Sequence, residues 1–468
     1  MNSLKFIFFS LSLLVFTACS NDDRNGSSEP FVVAFENLSA NIAELPNTTT
    51  IALVYSETAA QNGEVRLSLQ TINATYGTDF TTEPAAVNNE IFIPIQQGTT
   101  GTSLIFNKVS ASIDETVEIK FTITQIDYPS SQIQGNTQFS LNSSASLGRS
   151  FEPNVGGPNE GNQVYIDLSS ETETVVARDN WDLGFYSGND FRVMINGSIY
   201  MAAAQLQTTN IDAVTQSDVT DLQSQVAVGT FNPVNEAYVD APDGAIGGTT
   251  IAAISENNDN NKVYLVNLGY EVGTETPLPG SVAITGDTRG WKKIRILRNG
   301  TDYVLQYANI GDTNHQEVTI SKSEGYNFTF FSFNTNTTVS VEPKAENWDI
   351  NFTVFTNIIE FAGAYGFSDG VLNNRKGGVT AYLVNTNETS VSYDDFTSQH
   401  VNASNFEADQ RTIGSSWRDV MNEDKVIYDH IFYVIKDPNG NIYKLKFTAL
   451  LNDAGERGYP EFKYNLLQ

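Results

Sequence analysis

The chain has 468 residues and a formal net charge of −29, from 26 Lys and Arg against 55 Asp and Glu. This acidity argues against a nucleic-acid partner, because phosphates demand a basic surface, and against docking on anionic lipid by charge. One cysteine and three histidines exclude a disulfide scaffold and a cysteine zinc site. A hydrophobic content of 40% is enough for packed cores, and the length predicts roughly two to four domains.

Residues 1–18 have the pattern of a lipoprotein signal peptide. Lys5 precedes an apolar run over residues 6–16, which is too short to span a bilayer. The small residues Thr17 and Ala18 before Cys19 resemble the lipobox of bacterial lipoproteins, in which the cysteine thiol is acylated. The resemblance implies lipidation at Cys19, a solvated tether over residues 19–30 and a surface-exposed location at the outer membrane. The protein would then contact the membrane only through its lipid. The alternative is an ordinary signal peptide with a chance cysteine.

Short strand patterns follow from residue 31 onward. Residues 117–123 alternate apolar and polar side chains, which is the period of a half-buried strand. Residues 91–95 and 104–106 are short apolar runs of the same kind. The pattern predicts an immunoglobulin-like β-sandwich over residues 31–147.

This first region also contains the run from Tyr76 to Phe80, the strand pattern at 91–95 and Asp114-Glu115-Thr116. Together these segments resemble the Calx-beta family. Some members of that family bind calcium through clustered loop carboxylates. Here the candidate carboxylates of Asp79, Glu83, Asp114 and Glu115 are scattered, whereas calcium prefers six or more oxygen ligands. A structural spacer is therefore the favoured interpretation of this region.

A repeat follows the Gly- and Pro-rich segment 149–162, which has the composition of an inter-domain linker. Asn180-Trp181-Asp182-Leu183 recurs as Asn347-Trp348-Asp349-Ile350, and 347 minus 180 gives an offset of 167. Residues 263–266 recur as 431–434 at nearly the same offset. We predict two tandem all-β domains, residues 148–310 and 311–468. In both, the tryptophan should be a core anchor inside a strand and the aspartate an outward or turn-capping neighbour.

The repeated pattern resembles the HmuY family of haem-binding surface lipoproteins from Bacteroidetes. The second copy carries Phe330-Phe331-Ser332-Phe333, the Trp348-Asp349 motif, the turn Lys376-Gly377-Gly378 and the hairpin segment Asp437-Pro438-Asn439-Gly440. The resemblance implies haem as cofactor, iron acquisition as the role, and haem or a haem-carrying host protein as partner. An outer-membrane haem transporter is a further partner that it implies.

Members of the family clamp haem between two His or two Met side chains on irregular segments ahead of the last hairpin. The corresponding stretch, residues 385–429, contains His400 and Met421, which the resemblance assigns as the axial iron ligands. Trp417 would line the haem, with Phe396 or Phe406. Arg411, Arg418 and Lys425 would neutralise its propionates. The alternative is that His400 is a solvated loop residue and that Met421 packs in the core. A mixed His-Met pair also departs from the known members of the family.

The remaining candidates favour no other chemistry. The first copy lacks His and Met in its equivalent stretch, residues 218–262, although Met194 and Met201 lie nearer its Trp-Asp motif, and we expect it to be a structural or protein-docking module. The sequence has no phosphate loop and no His-Glu-x-x-His motif, and an enzyme is not the favoured interpretation. The competing function is a surface adhesion or glycan- or protein-binding lipoprotein without haem.

Overall fold

The computed structural model describes residues 30–42, 45–109, 117–142, 148–422 and 426–467. These ranges are dominated by β-strands, which confirms the predicted all-β class. They contain the α-helices α1 (Gln216–Gln223) and α2 (Thr386–Thr389). Short 3₁₀ helices lie at Gly157–Asn159, Gly197–Ile199, Ile211–Ala213, Pro233–Tyr238, Ile246–Gly248, Asn258–Asn260, Ser398–His400 and Ala403–Asn405. None of the helices in these ranges is long and apolar enough to cross a bilayer.

The N-terminal region is a two-layer β-sandwich. Its strands are β1 (Phe31–Phe35), β2 (Ser39–Asn41), β3 (Thr48–Tyr55), β4 (Gly63–Ile72), β5 (Phe80–Glu83), β6 (Glu90–Ile95), β7 (Gly101–Lys108), β8 (Glu118–Asp127), β9 (Ser131–Gln132) and β10 (Gln138–Asn142). One sheet has the order β5-β7-β3-β1-β9 and the other β2-β10-β8-β4-β6. Alternate side chains, such as Ile119, Phe121 and Ile123 of β8, are buried in the core between the sheets, as their spacing predicts.

The candidate calcium ligands of this sandwich are spread over several elements. Asp79 accepts a hydrogen bond from the Thr75 backbone N–H at 2.8 Å and so stabilises its own turn. Asp114 and Glu115 lie outside the described residues. Across the described ranges, no group of three or more His, Cys, Asp or Glu side chains is placed to hold a metal ion.

The remainder of the chain contains the two copies. The first comprises β11 (Ser150–Phe151), β12 (Asn162–Asp167), β13 (Thr172–Ala177), β14 (Leu183–Tyr186), β15 (Val193–Ile195), β16 (Ala202–Gln205), β17 (Val263–Asn267), β18 (Tyr270–Val272), β19 (Thr285–Thr288), β20 (Trp291–Asn299), β21 (Asp302–Ala308) and β22 (Gln316–Ile320). The second comprises β23 (Phe328–Ser332), β24 (Thr337–Val339), β25 (Ile350–Ile359), β26 (Gly363–Asn373), β27 (Thr380–Asn385), β28 (Arg418–Asp419), β29 (Val426–Ile427), β30 (Ile431–Lys436), β31 (Ile442–Leu451) and β32 (Arg457–Leu466).

The first copy supplies all of one five-stranded sheet, and the second supplies four strands of another. The first copy forms the sheet β16-β17-β20-β21-β22 and the second forms β27-β30-β31-β32, which β11 extends at its edge. The predicted repeat thus appears as two sheets of matching strand order. The Asn439-Gly440 turn joins β30 to β31 as a hairpin, with Gly440 at a positive φ of 94°.

The two copies exchange their first hairpins. The hairpin β12–β13 of the first copy pairs with β25 of the second, and the hairpin β23–β24 of the second copy pairs with β14 of the first. The resulting four-stranded sheets, β13-β12-β25-β26 and β15-β14-β23-β24, each contain strands of both copies. The predicted boundary near residue 310 therefore does not separate two independent domains.

The repeated Trp-Asp motif fastens this exchange. Asp182 of the first copy accepts a hydrogen bond from the Phe333 backbone N–H at 2.6 Å, just beyond the incoming strand β23. Asp349 of the second copy accepts one from the Leu168 backbone N–H at 2.8 Å, just beyond β12. Both aspartates are buried, because each supplies the acceptor that the end of the other copy's strand lacks. The expectation that these aspartates point outward is therefore wrong. They are capping residues, as the other expectation has it, but each caps a strand end of the other copy.

The segment 149–162 is part of the folded body rather than a free linker. Phe151 in β11 pairs along β32, and its ring stacks on Phe462 with centroids 5.6 Å apart. Glu160 is buried, and its carboxylate accepts a hydrogen bond from the Asp369 backbone N–H at 2.9 Å. The Gly and Pro composition of this segment therefore marks tight turns beside a core.

Candidate functional site

His400 lies on the surface and stabilises a local turn. Its Nδ1 atom accepts a hydrogen bond from the Thr397 backbone N–H at 3.0 Å. A neutral imidazole has one acceptor and one donor nitrogen, so this bond leaves the proton on Nε2. As held here, His400 has no free nitrogen lone pair for iron. Ligation would require the ring to leave this bond.

Met421 and Trp417 occupy contrasting environments although they lie four residues apart. The Met421 side chain is 90% exposed. The Trp417 ring is buried and stacks on Phe447 with centroids 4.1 Å apart, and its indole N–H donates to the Asp369 carbonyl at 3.0 Å. Trp417 is therefore a core residue of the second copy and does not line an open cleft.

The segments that carry the two predicted ligands pack on opposite faces of the sheet that contains β30. Phe432 of β30 contacts Phe396, whose ring lies 5.4 Å from that of His400. The next residue, Tyr433, points to the opposite face and belongs to the core cluster that contains Trp417. Successive side chains of a strand alternate between faces. The structure therefore does not bring His400 and Met421 together as the predicted clamp.

The arginines predicted to hold propionates already have partners. Arg411 forms an ion pair with Asp409 at 2.7 Å. Arg418 is buried and pairs with Asp369 at 2.9 Å, and Arg457 also contacts that carboxylate. If Arg418 left this ion pair to bind a propionate, the buried carboxylate of Asp369 would lose one of its charged partners, which is unfavourable. Lys425 lies outside the described residues.

A better-formed site lies between the two exchanged sheets. It is a cavity of about 150 Å³ lined by both copies. Strands β12 and β15 supply one part of the wall, β23 and β25 another, and residues 239–249 form a roof. The roof is attached to the second copy, because the Gln410 side chain donates to the Pro242 carbonyl at 2.9 Å and Arg375 pairs with Asp243 at 3.0 Å.

Both motif tryptophans line this cavity, but their hydrogen bonding differs. The Trp181 indole N–H donates to the Gln163 side-chain oxygen at 2.8 Å. In the strand registers, the second-copy position equivalent to Gln163 is Phe328, which has no acceptor. The Trp348 indole N–H is accordingly buried without a protein hydrogen-bond partner. This difference between copies is visible in the sequence once the register is known.

Two amide oxygens share this condition. Asn351 and Asn373 are among the residues that line the same cavity, and their side-chain oxygens are buried without a protein partner. The Asn373 side-chain nitrogen donates to the Asp409 carbonyl at 3.3 Å, which fixes the orientation of that amide. Asn351 occupies the position equivalent to Gly184, so the cavity's unsatisfied groups come chiefly from the second copy.

Three titratable groups complete the lining. Burial raises the pKa of Asp240 to about 6 and that of Glu342 to about 7. Burial lowers the pKa of Lys376 to about 8, and the nearby carboxylates of Glu342 and Asp240 oppose that shift. The Lys376 ammonium also donates to the Gln410 side-chain oxygen at 3.1 Å. Clustered groups with shifted pKa values are frequent at binding sites.

The cavity does not fit haem. A cavity of 150 Å³ accepts a single six-membered ring, whereas haem is a macrocycle of four pyrrole rings. Met194 and Met201 are among its lining residues, but Met201 is completely buried in a neighbouring core. The first copy therefore lines part of this cavity, in addition to the structural role expected for it.

The comparisons with known proteins agree with the repeat. A family model described as "HmuY protein" matches residues 159–319 and again residues 324–464. The chain therefore belongs to the HmuY family. No curated protein matches the sequence.

Two solved structures show more limited likeness. The apo form of the Calx CBD1 domain aligns with 24% of this chain and 97% of its own, at 11% identity and a TM-score of 0.20. A putative carbohydrate binding protein from Bacteroides ovatus aligns with 72% of this chain and 96% of its own, at 9% identity and a TM-score of 0.15.

Proposed function

We propose that this protein is a lipid-anchored binding protein of the bacterial outer surface that captures haem for iron acquisition. The observation that carries the proposal is the match of both copies to the HmuY family. Haem or a haem-carrying host protein would be the source, and an outer-membrane haem transporter would receive the haem. The proposed role is binding rather than catalysis.

The proposal requires a rearrangement in the second copy. His400 and Met421 lie on irregular segments, as the family's ligands do, but these segments pack on opposite faces of one sheet. His400 must also leave its hydrogen bond with Thr397, so that the proton can lie on Nδ1 and the Nε2 lone pair can bind iron. Binding therefore has to be coupled to movement of residues near 398–421, since the residues as placed do not form a clamp.

Titration with hemin tests this function directly. The mature chain should develop a sharp Soret band that saturates at one equivalent of hemin. His400→Ala and Met421→Ala should each shift the band and weaken binding, because each removes one axial ligand. His315→Ala and His430→Ala are matched controls and should leave the spectrum unchanged. His315 lies instead against Asp212, 3.0 Å from its carboxylate.

The outcomes separate the family role from the ligand assignment. Without a saturable Soret band, the haem proposal fails. A normal band in both the His400→Ala and Met421→Ala variants would retain haem capture but refute these two residues as ligands.

A second candidate function is surface capture of a small molecule or glycan without haem. The observation that favours it is the cavity between the exchanged sheets, which is lined by aromatic side chains and by several polar side chains of both copies. This candidate corresponds to the adhesion or glycan-binding alternative of the sequence, and it locates binding in both copies rather than in the second alone.

A further inference from the structure

We propose that a groove on the first copy binds a small molecule through an oxyanion, that is, through a carboxylate, phosphate or sulfate group. The groove has a volume of about 290 Å³ and is lined by residues 189–192, which lie between β14 and β15, by part of the segment 247–254 and by Arg298 near the end of β20. It shares no lining residue with the cavity between the exchanged sheets. The proposal does not depend on haem capture.

Two arginines without a protein partner line this groove. Within the described ranges, Arg192 and Arg298 form neither an ion pair nor a side-chain hydrogen bond. Every other arginine of those ranges does so. Some pair with a carboxylate, as Arg289 does with Asp182, and others donate to backbone carbonyls, as Arg178 does. A guanidinium has five N–H donors and no acceptor, so these two exceptions supply only donors and positive charge to one groove.

The donors of both arginines can be reached by a ligand. Both side chains are half-buried. Of their guanidinium nitrogens, Nε of Arg298 is buried, and the others keep contact with solvent. The terminal nitrogens of a guanidinium match two oxygens of a carboxylate or phosphate group in geometry. An oxyanion in the groove would therefore accept charge-assisted hydrogen bonds from Arg192 and Arg298.

An aromatic ring holds Arg298 in position without using its donors. The Arg298 guanidinium carbon lies over the Phe191 ring, 3.7 Å from its centroid, and the Lys322 ammonium lies 4.0 Å from the same centroid. The face of a ring attracts a cation through its quadrupole, but it does not replace an oxygen as hydrogen-bond acceptor. The two cations beside one ring also repel each other, and a bound oxyanion would relieve that repulsion.

The loop over residues 187–192 is fixed before any ligand binds. The Lys322 ammonium donates to the Asp190 carbonyl at 3.2 Å. The Phe191 carbonyl accepts a hydrogen bond from the Ile254 backbone N–H at 2.9 Å, which ties this loop to the other wall of the groove. A pre-formed site loses little conformational entropy on binding, so a few charge-assisted hydrogen bonds can give measurable affinity.

The local charges favour an anion although the whole chain is acidic. Asp190 also lines the groove, but its exposed carboxylate forms no ion pair with another described residue. The two arginines and Lys322 outnumber this carboxylate, so the groove is locally positive. The net charge of −29 opposes the approach of an anion, but salt screens distant charges beyond about 8 Å at physiological ionic strength.

Calorimetric titration of the mature chain tests the proposal. The protein is kept in a non-ionic detergent and Tris chloride buffer at constant ionic strength, and it is titrated separately with inorganic phosphate, sulfate and malonate. At least one of these anions should bind saturably with a dissociation constant of about 1 mM or lower. Phosphate and sulfate are tetrahedral and the carboxylates of malonate are planar, so the three titrations show which oxyanion the groove accepts.

Two variants locate the binding. Arg192→Gln and Arg298→Gln each remove one guanidinium and retain a polar side chain. Each should weaken anion binding about tenfold, because a hydrogen bond from a charged group is lost. Arg66→Gln is the matched control, since Arg66 also lies over a ring, that of Phe92 at 4.9 Å, but in the N-terminal sandwich. It should leave the affinity unchanged. Thermal melts show whether each variant is folded, and if one groove variant does not fold, the other decides.

Three results would overturn the proposal. The first is the absence of saturable binding by all three anions. The second is a folded Arg192→Gln or Arg298→Gln variant that binds the anion as the natural protein does, because the site requires both arginines. The third is an equal loss of affinity in Arg66→Gln, which would show that binding follows the overall charge rather than the groove. The hemin titration involves none of these arginines, so the two proposals fail or stand separately.

Discussion

Single residues set the hydrogen bonding around the cavity, and most of them escape detection in the sequence alone. Trp348 was expected as a core anchor and is buried, but its unpaired indole N–H depends on Phe328, a residue 20 positions earlier. Asn351 and Asn373 belong to strands whose alternation predicts burial of apolar neighbours, not the burial of an amide oxygen without a partner. The one difference that the sequence does contain is Phe328 at the position equivalent to Gln163, and this equivalence can be recognised only once the strand registers are known.

The buried carboxyl group of Glu342 should make stability depend on pH. Its pKa is raised to about 7 from an ordinary value of 4.5, chiefly by burial. A raised pKa gives a contribution that is complete below pH 4.5 and is lost as the pH rises through 7. The free energy of unfolding should therefore fall by on the order of 3 kcal/mol from this group between pH 5 and pH 8. The melting temperature should fall with it. Asp240 acts in the same direction and Lys376 remains charged over most of this window.

Replacing the carboxyl by an amide isolates this contribution. Glu342→Gln keeps an acceptor for the Phe328 N–H but cannot ionise, so its melting temperature should change less between pH 5 and pH 8 than that of the natural protein. Glu346→Gln, an exposed neighbour, is the control and should retain the full slope. An unchanged slope in Glu342→Gln would show that this carboxyl is not the titrating group.

At the scale of elements, strands are well predicted and their partners are not. Period-two alternation places β8, and the short apolar runs place β6 and β7. The 167-residue offset predicts two copies. Hairpin exchange leaves no local trace, because each hairpin presents the same alternating pattern to either copy and both copies offer an equivalent strand edge. The buried Asp182 and Asp349 are the residues that record the exchange, but a charged residue beside a tryptophan is ordinarily assigned to the surface.

The exchange predicts how the protein unfolds. Loss of β12 would uncover β25, and loss of β23 would uncover β14, so neither copy can unfold without the other. Differential scanning calorimetry of the mature chain should show one transition for the two copies together and a separate one for the N-terminal sandwich. Asp349→Ala should lower the transition of the paired copies by roughly 2–6 °C, because it leaves the Leu168 N–H buried without an acceptor.

An exposed aspartate provides the matched control for this experiment. Asp287→Ala, on the exposed strand β19, should leave both transitions in place. Three resolved transitions, with one for each copy, would contradict the coupling. So would a response of one half alone to Asp349→Ala.

At the scale of the whole molecule, the sequence predicts an attachment that the described residues do not include. The chain carries 55 acidic against 26 basic residues, so an anionic membrane surface would repel it rather than hold it by charge. A covalent lipid at the amino terminus would overcome that repulsion with buried hydrocarbon. The lipobox resemblance and the family both favour this arrangement, in which the tether over residues 19–30 presents the sandwich and the paired copies outward. Cys19 itself lies outside the described residues.

Metabolic labelling with a palmitate analogue in the native host tests the attachment. The natural protein should be tagged, and Cys19→Ala should abolish the tag. The sequence contains a single cysteine, so a thiol-linked label can only be on Cys19. Brief protease treatment of intact cells should degrade the protein while sparing a periplasmic marker, since the proposed function requires access to ligands outside the cell. An untagged natural protein would overturn the lipid anchor. If the protein is tagged but resists protease, it lies on the inner side of the outer membrane, where neither haem nor sugar from outside could reach it directly.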